Sequence, residues 1–204
     1  MINYYMNQTV LVDFDGVLFN NRRVANMVRE RSVDFLSRNL NVSLSEAARV
    51  NSAWYPIQGH TALVIRHVNT VTLVRKYNQE VFDEDLLYRI ASCVDERDHR
   101  RMDRIVSKTQ TKKHHLCTNA PLSYCEQVMH DLGYTLADVF DMSHAFTSDD
   151  GTVKPQDAYW TKIENELPDH RKRLLLDDSA VHVLTAGVRP GWDATLIQTE
   201  EQLY

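Results

Sequence analysis

The sequence contains little cysteine, and its spacing does not suit a metal or disulfide framework. Only three cysteines occur in 204 residues, at positions 93, 117 and 125. An odd number of thiols without paired ligand spacing argues against a disulfide-stapled secreted domain and against a structural zinc site. We therefore expect reduced thiols and a cytoplasmic protein.

Long apolar runs and an excess of basic charge are also missing. No stretch approaches the roughly 18 apolar residues of a membrane-spanning helix, and the N-terminal residues lack the pattern of a signal peptide. The formal net charge of -5 disfavours binding to a nucleic-acid polymer. These features predict a soluble monomer or homodimer with no membrane or nucleic-acid partner, and they leave a small anionic substrate open.

Repeats, low-complexity tracts and flexible linkers are absent, whereas core-forming residues are plentiful. The hydrophobic content is 43% and the charged content 25%, which is ordinary for a globular protein. A chain of this length can bury one substantial core and a smaller lobe.

Two regions of different periodicity divide the chain. The apolar run Val10-Leu11-Val12 predicts a buried parallel strand. Helical patterns then fill residues 20–110, and strands alternate with helices from residue 112 onward, which predicts βαβ units. The predicted fold class is α/β: a Rossmann-like parallel sheet core with helices on both faces, formed by residues 1–19 and 111–204, and an all-helical insertion over residues 20–110.

Local signals set the expected helix boundaries inside the insertion. Ser43 and Glu46 form a possible capping box for a helix through Val50, which Trp54-Tyr55-Pro56 should interrupt. Asp83 is a candidate N-cap. The expected helices span residues 20–40, as one helix or two short ones, and residues 43–50, 61–77, 84–93 and 97–107.

An acidic corner, Asp13-Phe14-Asp15-Gly16-Val17-Leu18, follows the first strand. Carboxylates two positions apart on a strand project to the same side, and Gly16 permits a sharp turn that brings its backbone amide close to a ligand. Oxygen-rich sites of this kind suit Mg²⁺. A calcium loop of the EF-hand type fits poorly, because a strand precedes the aspartates. A solvated turn with incidental aspartates remains an alternative for the hexapeptide alone.

Further polar groups follow other predicted strands. Ligands of open α/β sheets bind at the carboxyl ends of strands. Each group alone has an ordinary structural explanation, such as a helix cap or a surface position, but their order along one sheet edge predicts a phosphate site. The groups are Thr118 with Asn119, Lys154 at a helix start, and Asp177 with Asp178.

At these residues the chain resembles the haloacid dehalogenase-like (HAD) hydrolase superfamily. The four matching motifs are Asp13 to Leu18, Thr118-Asn119, Lys154-Pro155 and Asp177-Asp178-Ser179, and the helical insertion looks like the C1 cap of that family. A looser likeness is to the pyrimidine 5′-nucleotidase branch. It rests on Leu116-Cys117-Thr118-Asn119-Ala120, Leu176-Asp177-Asp178-Ser179, and the segments from Tyr55 through Gly59-His60-Thr61 to Tyr77-Asn78.

The resemblance implies a role for each motif residue. Asp13 would be the nucleophile, forming an aspartyl-phosphate, and Asp15 would be the acid and base. Thr118 and the Asn119 amide would hold phosphoryl oxygens, while Lys154 would neutralise charge and orient Asp13. The Mg²⁺ ligands would be Asp13, the Asp15 backbone carbonyl and Asp178, with Asp177 in support.

The last motif departs from the family pattern. Asp177 stands where many relatives have glycine, so Asp177 and Asp178 could exchange roles. His182 occupies the place of a further acid, and its alternative interpretation is an exposed helical histidine. Asp149 and Asp150 are either supporting groups or, slightly favoured, turn formers.

The implied activity is Mg²⁺-dependent phosphomonoester hydrolysis, with a pyrimidine nucleoside 5′-monophosphate as the leading substrate. One alternative is a phosphatase for a small sugar phosphate or phosphoglycolate, and another is a catalytically silent binding protein. Dehalogenation is disfavoured because Asp15 serves phosphoryl leaving groups, and a receiver domain has no place for the insertion. Candidates for touching the base or sugar are Tyr55, His60, Arg66, His67, Tyr77 and Asn78.

Overall fold

The computed structural model describes residues 8–66, 68–109, 114–167, 172–199 and 202. Five strands form one parallel sheet in the order β3-β2-β1-β4-β5, so the predicted α/β fold class is confirmed. The strands are β1 (Gln8–Val12), β2 (His114–Cys117), β3 (Phe140–Phe146), β4 (Lys172–Asp177) and β5 (Trp192–Leu196).

Helices connect the strands and fill the segment between β1 and β2. Five lie in that segment: α1 (Arg22–Leu40), α2 (Leu44–Gln58), α3 (Thr70–Val81), α4 (Glu84–Ile90) and α5 (Glu96–Thr109). Three more follow the later strands: α6 (Leu122–Asp131), α7 (Asp157–Glu166) and α8 (Ala180–Gly187). Among these described helices, none is both long and apolar enough to cross a lipid bilayer.

Strand β1 explains why the sheet is covered on both faces. Successive side chains of a strand point to opposite sides. Val10 and Val12 pack with the core beneath α6, whereas Leu11 packs with Tyr159 and Trp160 on α7. All three side chains are buried, with relative exposures of 4% for Val10, 2% for Val12 and 0% for Leu11. The strand therefore contributes to two hydrophobic cores.

The helical segment has a further core of its own. Phe35 and Leu36 of α1 pack with Val74 and Val81 of α3, and all four are completely buried. Val153, which precedes α7, joins the same cluster. The segment is thus internally packed and also rests on the sheet domain.

Several predicted helix boundaries are wrong. Helix α2 does not stop before Trp54 but continues to Gln58 with Pro56 in its last turn, where the missing proline N–H removes one intrahelical hydrogen bond near the end of the helix. The helix expected over residues 61–77 is a short 3₁₀ turn, Thr61–Val64, followed by α3, which Asn69 caps. Lys154 lies in the loop before α7 and not at the start of the helix.

The chain order places a crevice at the carboxyl ends of β1 and β4. From β1 the chain builds the sheet outward through β2 and β3, and then returns to add β4 and β5 on the other side. Ligands of open α/β sheets bind at such a switch point. Asp13 follows β1 and Asp177 ends β4, so both acidic motifs lie there.

Candidate active site

Asp13 lies at the bottom of the crevice with both carboxylate oxygens engaged. Oδ1 accepts a hydrogen bond from the backbone N–H of Phe14 at 2.7 Å, and Oδ2 lies 3.2 Å from Nζ of Lys154. Only 6% of Asp13 is exposed. Burial raises the pKa of Asp13 well above its usual range; Lys154 opposes this shift, and Asp177, Asp178 and Asp15 add to it.

Lys154 is completely buried between two carboxylates. Its Nζ donates to Oδ2 of Asp177 at 2.5 Å and to the carbonyl of Cys117 at 2.8 Å. Burial alone would lower the pKa of Lys154, but Asp13 and Asp177 outweigh it and hold the pKa above the usual range. Burial alone would raise the pKa of Asp177, but Lys154 outweighs burial and holds this pKa below its usual range, so Asp177 stays ionised.

Asp15 faces the cavity and is held by a tyrosine. The hydroxyl of Tyr124, in α6, donates to Oδ1 of Asp15 at 2.8 Å. Asp15 is open to solvent on the cavity side. Burial by the surrounding protein nevertheless raises the pKa of Asp15 to about 6. The hydrogen bond from Tyr124 opposes this shift, and the Asp178 carboxylate adds to it. A carboxyl group with such a pKa can both donate and accept a proton near neutrality.

Asp178 lies directly against the backbone of Gly16. A β-carbon at Gly16 would stand 1.9 Å from Oδ2 of Asp178, and Gly16 has a φ of 77°. Only glycine meets both conditions at this position. Burial raises the pKa of Asp178 to about 6, with Asp177 as the next cause. The turn after β1 and the last motif are therefore in direct contact at the sheet edge.

The donor set suits a divalent cation. Asp13, Asp15 and Asp178 all have raised pKa values, while the Lys154 ammonium is already paired with Asp177. A cation bound among the first three carboxyl groups would supply the missing positive charge. Asp13, Asp177 and His182 lie within metal-ligand distance of one another, but the Lys154 ammonium stands between those two aspartates and already supplies positive charge there.

Asp177 therefore supports Lys154. Its Oδ1 accepts the backbone N–H of Ser179 at 2.8 Å, and Oδ2 accepts from Lys154. Asp178, in contrast, faces the cavity. This placement favours Asp178 over Asp177 as the metal ligand.

Thr118 and Asn119 follow β2 at the same edge. The Thr118 side-chain oxygen accepts the N–H of Ala120 at 3.2 Å. The Asn119 side chain pairs with the backbone of Lys154 on both sides, accepting its N–H at 2.7 Å and donating to its carbonyl at 2.9 Å. Because the side-chain amide is engaged, the backbone amide of Asn119 is the group left for a phosphoryl oxygen.

His182 is buried, so its interpretation as an exposed helical histidine is wrong. Only 4% of it is exposed. Nδ1 lies 3.1 Å from Oδ1 of Asp177, and Nε2 lies 3.3 Å from the carbonyl oxygen of Gly59. Burial lowers the pKa of His182, and the Asp177 carboxylate opposes that shift. The histidine thus bridges the last motif and the end of α2.

A cavity of about 470 Å³ lies between the sheet edge and the helical segment. Aromatic side chains of Phe19, Tyr77, Phe82 and Tyr124 form part of its wall. The size lies in the range of small-molecule sites, which are mostly apolar with a few polar groups. The polar groups that α1 and α2 add to the cavity are Asn21, Arg29, Ser32, Asn51 and Ser52.

The predicted specificity residues divide into two groups. Tyr55, His60 and Tyr77 line the cavity. Arg66 is not among its described lining residues; its guanidinium stacks on Trp54 at 5.0 Å. Asn78 donates to Ser148 instead, and His67 lies outside the described residues.

Asp149 and Asp150 are turn formers, as the sequence favoured. Asp149 accepts from Thr147 and from the first N–H of α6. Asp150 accepts from Thr152 and Lys162. Their contacts stabilise the loop before Lys154.

Sequence reasoning missed Tyr124, Asn51, Ser32 and Arg29. These residues lie within helices at positions that carry no motif, and Tyr124 follows Asp15 by 109 positions. Tyr124 stands soon after Thr118-Asn119, and that proximity to a predicted strand end is the one signal that could have drawn attention to it.

Comparison with known proteins identifies the fold. No protein-family model and no curated protein matches the chain, but solved structures do. A HAD family enzyme from Bacteroides thetaiotaomicron in complex with magnesium and inorganic phosphate gives a TM-score of 0.52 at 11% identity, over 97% of this chain and 98% of that one.

Two further structures agree. The L-2-haloacid dehalogenase from Xanthobacter autotrophicus with chloropropionic acid covalently bound gives a TM-score of 0.53 at 16% identity, over 97% of this chain and 81% of that one. A putative HAD-hydrolase from Bacillus subtilis bound to magnesium gives 0.52 at 16% identity, over 97% of both chains. At these identities the likeness concerns architecture, and the chain has the parallel α/β fold of the HAD hydrolases.

Proposed function

We propose that this protein hydrolyses phosphomonoesters through a phosphorylated Asp13. The observation that carries the proposal is the convergence of Asp13, Asp15, Lys154 and Asp178 at one sheet edge, beside the cavity. Residues 20–110 would act as the cap over the core formed by residues 1–19 and 111–204. The HAD fold of the solved neighbours is consistent with this chemistry.

The reaction would proceed in two steps. The Asp13 carboxylate attacks phosphorus and the ester P–O bond breaks, while Asp15 gives its proton to the leaving oxygen. Ionised Asp15 then takes a proton from water, which attacks the aspartyl-phosphate and releases inorganic phosphate and Asp13. Lys154 neutralises the charge next to Asp13, and Thr118 with the Asn119 N–H would hold phosphoryl oxygens.

Mg²⁺ is the proposed cofactor. Asp13, Asp178 and the carbonyl of Asp15 would hold it, and it would supply positive charge that offsets the repulsion between a carboxylate and a phosphate dianion. The Bacteroides and Bacillus proteins, which share the fold, are described with bound magnesium.

The proposed substrate is a nucleoside 5′-monophosphate, and we propose that the enzyme prefers those with a pyrimidine base. The cavity combines aromatic walls with polar groups, which suits a base and a sugar. Tyr55 is 48% exposed at the cavity, and Asn51 and His60 lie deeper. These features support the nucleotide over phosphoglycolate, which is too small to use them.

Phosphate release from a panel of phosphomonoesters tests the function. The panel contains pyrimidine and purine 5′-monophosphates, sugar phosphates and phosphoglycolate, each with Mg²⁺ and with a chelator. We expect activity on pyrimidine nucleotides that chelation abolishes and that Asp13→Asn reduces by at least 10²–10³-fold. Asp141→Asn, which changes an exposed acid on β3, should leave the rate unchanged.

The panel also separates the alternatives. Activity confined to sugar phosphates or phosphoglycolate would contradict the proposed nucleotide substrate but leave the proposed mechanism unchanged. Absence of phosphate release from every ester, with Asp13→Asn indistinguishable from the parent protein, would support a silent binding protein.

A further inference from the structure

The carbonyl oxygen of Gly59, at the end of α2, meets two side chains of the sheet domain. Nδ2 of Asn119 donates to it at 3.2 Å, and Nε2 of His182 lies 3.3 Å away. Asn119 follows β2 and His182 lies in α8, so two separate motif regions converge on one backbone group. This convergence joins the helical segment to the sheet edge.

Gly59 is shaped to permit the approach. It has a φ of 71°, a left-handed conformation that ends α2, and its N–H bonds back to Tyr55. A β-carbon at Gly59 would stand 2.5 Å from Nε2 of His182 and 3.0 Å from Cδ of Pro155. Any other residue would have to displace the imidazole or withdraw the end of α2.

His182 continues the contact into the active site. Its other ring nitrogen faces Asp177, Asp177 accepts from Lys154, and Lys154 lies 3.2 Å from Asp13. An unbroken series of polar contacts therefore runs from the helical segment to the proposed nucleophile. His182 is the link at which this series leaves the sheet domain.

We propose that His182 is a positioning residue that couples the placement of α2 to the orientation of Lys154 and Asp13. While Gly59 is in contact, its backbone confines the imidazole beside Asp177, so that the N–H at Nδ1 donates to the Asp177 carboxylate and holds it in place beneath Lys154. When the end of α2 withdraws, His182 loses one of its two partners and the support of Asp177 weakens. Lys154 and Asp13 are thus correctly oriented when the end of α2 lies against the sheet domain. The catalytic part of this inference rests on the proposed phosphatase function.

The test compares His182→Phe with His130→Phe. Phenylalanine keeps the ring volume but removes both polar contacts, and His130 is a histidine of α6 whose side chain is 82% exposed. Amide hydrogen exchange is followed over residues 55–64, together with kcat and KM. We expect His182→Phe to accelerate exchange in this segment and to lower kcat about tenfold with a smaller change in KM, whereas His130→Phe changes neither.

A conservative variant and a double substitution make the test specific. His182→Gln can restore one polar contact and should recover part of both effects. Gly59→Ala should be less damaging to kcat in a His182→Ala background than alone, because the collision with the imidazole is gone. Such non-additivity is the signature of a direct contact.

Several outcomes would overturn the inference. One is uniform acceleration of exchange throughout the chain with kcat per folded molecule unchanged, which is the behaviour of a purely structural histidine. Additive effects of Gly59→Ala and His182→Ala would contradict the coupling. If the parent protein releases no phosphate from any ester, the proposed function fails, but exchange over residues 55–64 still decides whether His182 holds Gly59.

Discussion

Tyr124 determines how Asp15 presents its proton. Its hydroxyl donates to Oδ1 of Asp15 at 2.8 Å from within α6, and Tyr124 is 1% exposed. A hydrogen bond to an ionised carboxylate favours the charged form and lowers its pKa. Tyr124 therefore opposes the burial that raises the pKa of Asp15 to about 6.

Replacement of Tyr124 by phenylalanine should shift the pH dependence of catalysis. Without the donor, the pKa of Asp15 rises further, and protonated Asp15 persists to higher pH. Since Asp15 must carry a proton for the first chemical step, the alkaline limb of the kcat/KM profile should move to higher pH. Measuring kcat/KM from pH 5 to 9 for the parent and Tyr124→Phe tests this.

Tyr134→Phe is the matched control. Tyr134 also donates to an aspartate, Asp103, but on the surface away from the cavity. Its replacement should leave the profile where it is. An unchanged alkaline limb in Tyr124→Phe would show that Tyr124 does not influence Asp15.

Asn21 caps the start of α1 and also contacts a later part of the same helical segment. Oδ1 of Asn21 accepts the N–H groups of Arg23 and Val24, while Nδ2 donates to Asp98 at 2.6 Å and to the carbonyl of Cys93 at 2.9 Å. Asn21 and Asp98 are each 8% exposed. The residue thus joins the start of α1 to the start of α5.

Asn21→Ala should destabilise the protein more than an ordinary loss of a cap. Removing an N-cap side chain typically costs about 1 kcal/mol. The lost hydrogen bond to the Asp98 carboxylate adds about 1.5–3 kcal/mol, the usual range for a bond to a charged group, and within the described part of the chain Asp98 keeps only the backbone N–H of Asp95 as a donor, at 3.1 Å. Asn69→Ala removes only the cap of α3, in which the Asn69 side-chain oxygen accepts the N–H and the hydroxyl of Thr72. Chemical denaturation should give a clearly larger loss for Asn21→Ala, and equal losses would contradict the role of Asp98.

The sequence predicted those elements whose signals are local. The run Val10 to Val12 and the polar groups after three strands specified the sheet edge, because the carboxyl ends of parallel strands meet at one edge. Asp83 was identified as the cap of α4, and its side chain accepts the N–H of Leu86. Convergence of Asp13 and Asp177 follows from topology once the strands are parallel, because each stands at the carboxyl end of its strand.

Features that depend on packing between distant segments were not predictable. His182 is buried because α2 lies over it, and Gly59 is 123 positions earlier in the chain. Helix α2 continues through Pro56 to Gln58, and Gly59, whose carbonyl contacts Asn119 and His182, ends it. Neither periodicity nor cap signals carry information about such contacts.

Stability of the whole molecule should depend on pH through His60. The imidazole is 4% exposed, and its Nδ1 accepts the N–H of Ala62 at 3.1 Å. Burial lowers the pKa of His60 to about 3, with repulsion by His182 as a further cause. In an unfolded chain the pKa of histidine is about 6.5. Between these values the unfolded state binds more protons, so stability is complete above pH 6.5 and falls as the pH decreases toward 3.

His60→Asn removes this titration while keeping an acceptor for Ala62. At pH 5 the His60 contribution amounts to about 2 kcal/mol, from roughly 1.36 kcal/mol per pKa unit. The decrease in unfolding free energy between pH 7 and pH 5 should therefore be smaller in His60→Asn by about that amount. Loss of the ring contact with Tyr77 at 4.7 Å lowers stability equally at both pH values, so it does not change this difference. His130→Asn, an exposed control, should retain the full drop. The same drop in His60→Asn would mean that His60 becomes charged without unfolding the protein, and that another buried group accounts for the acid sensitivity.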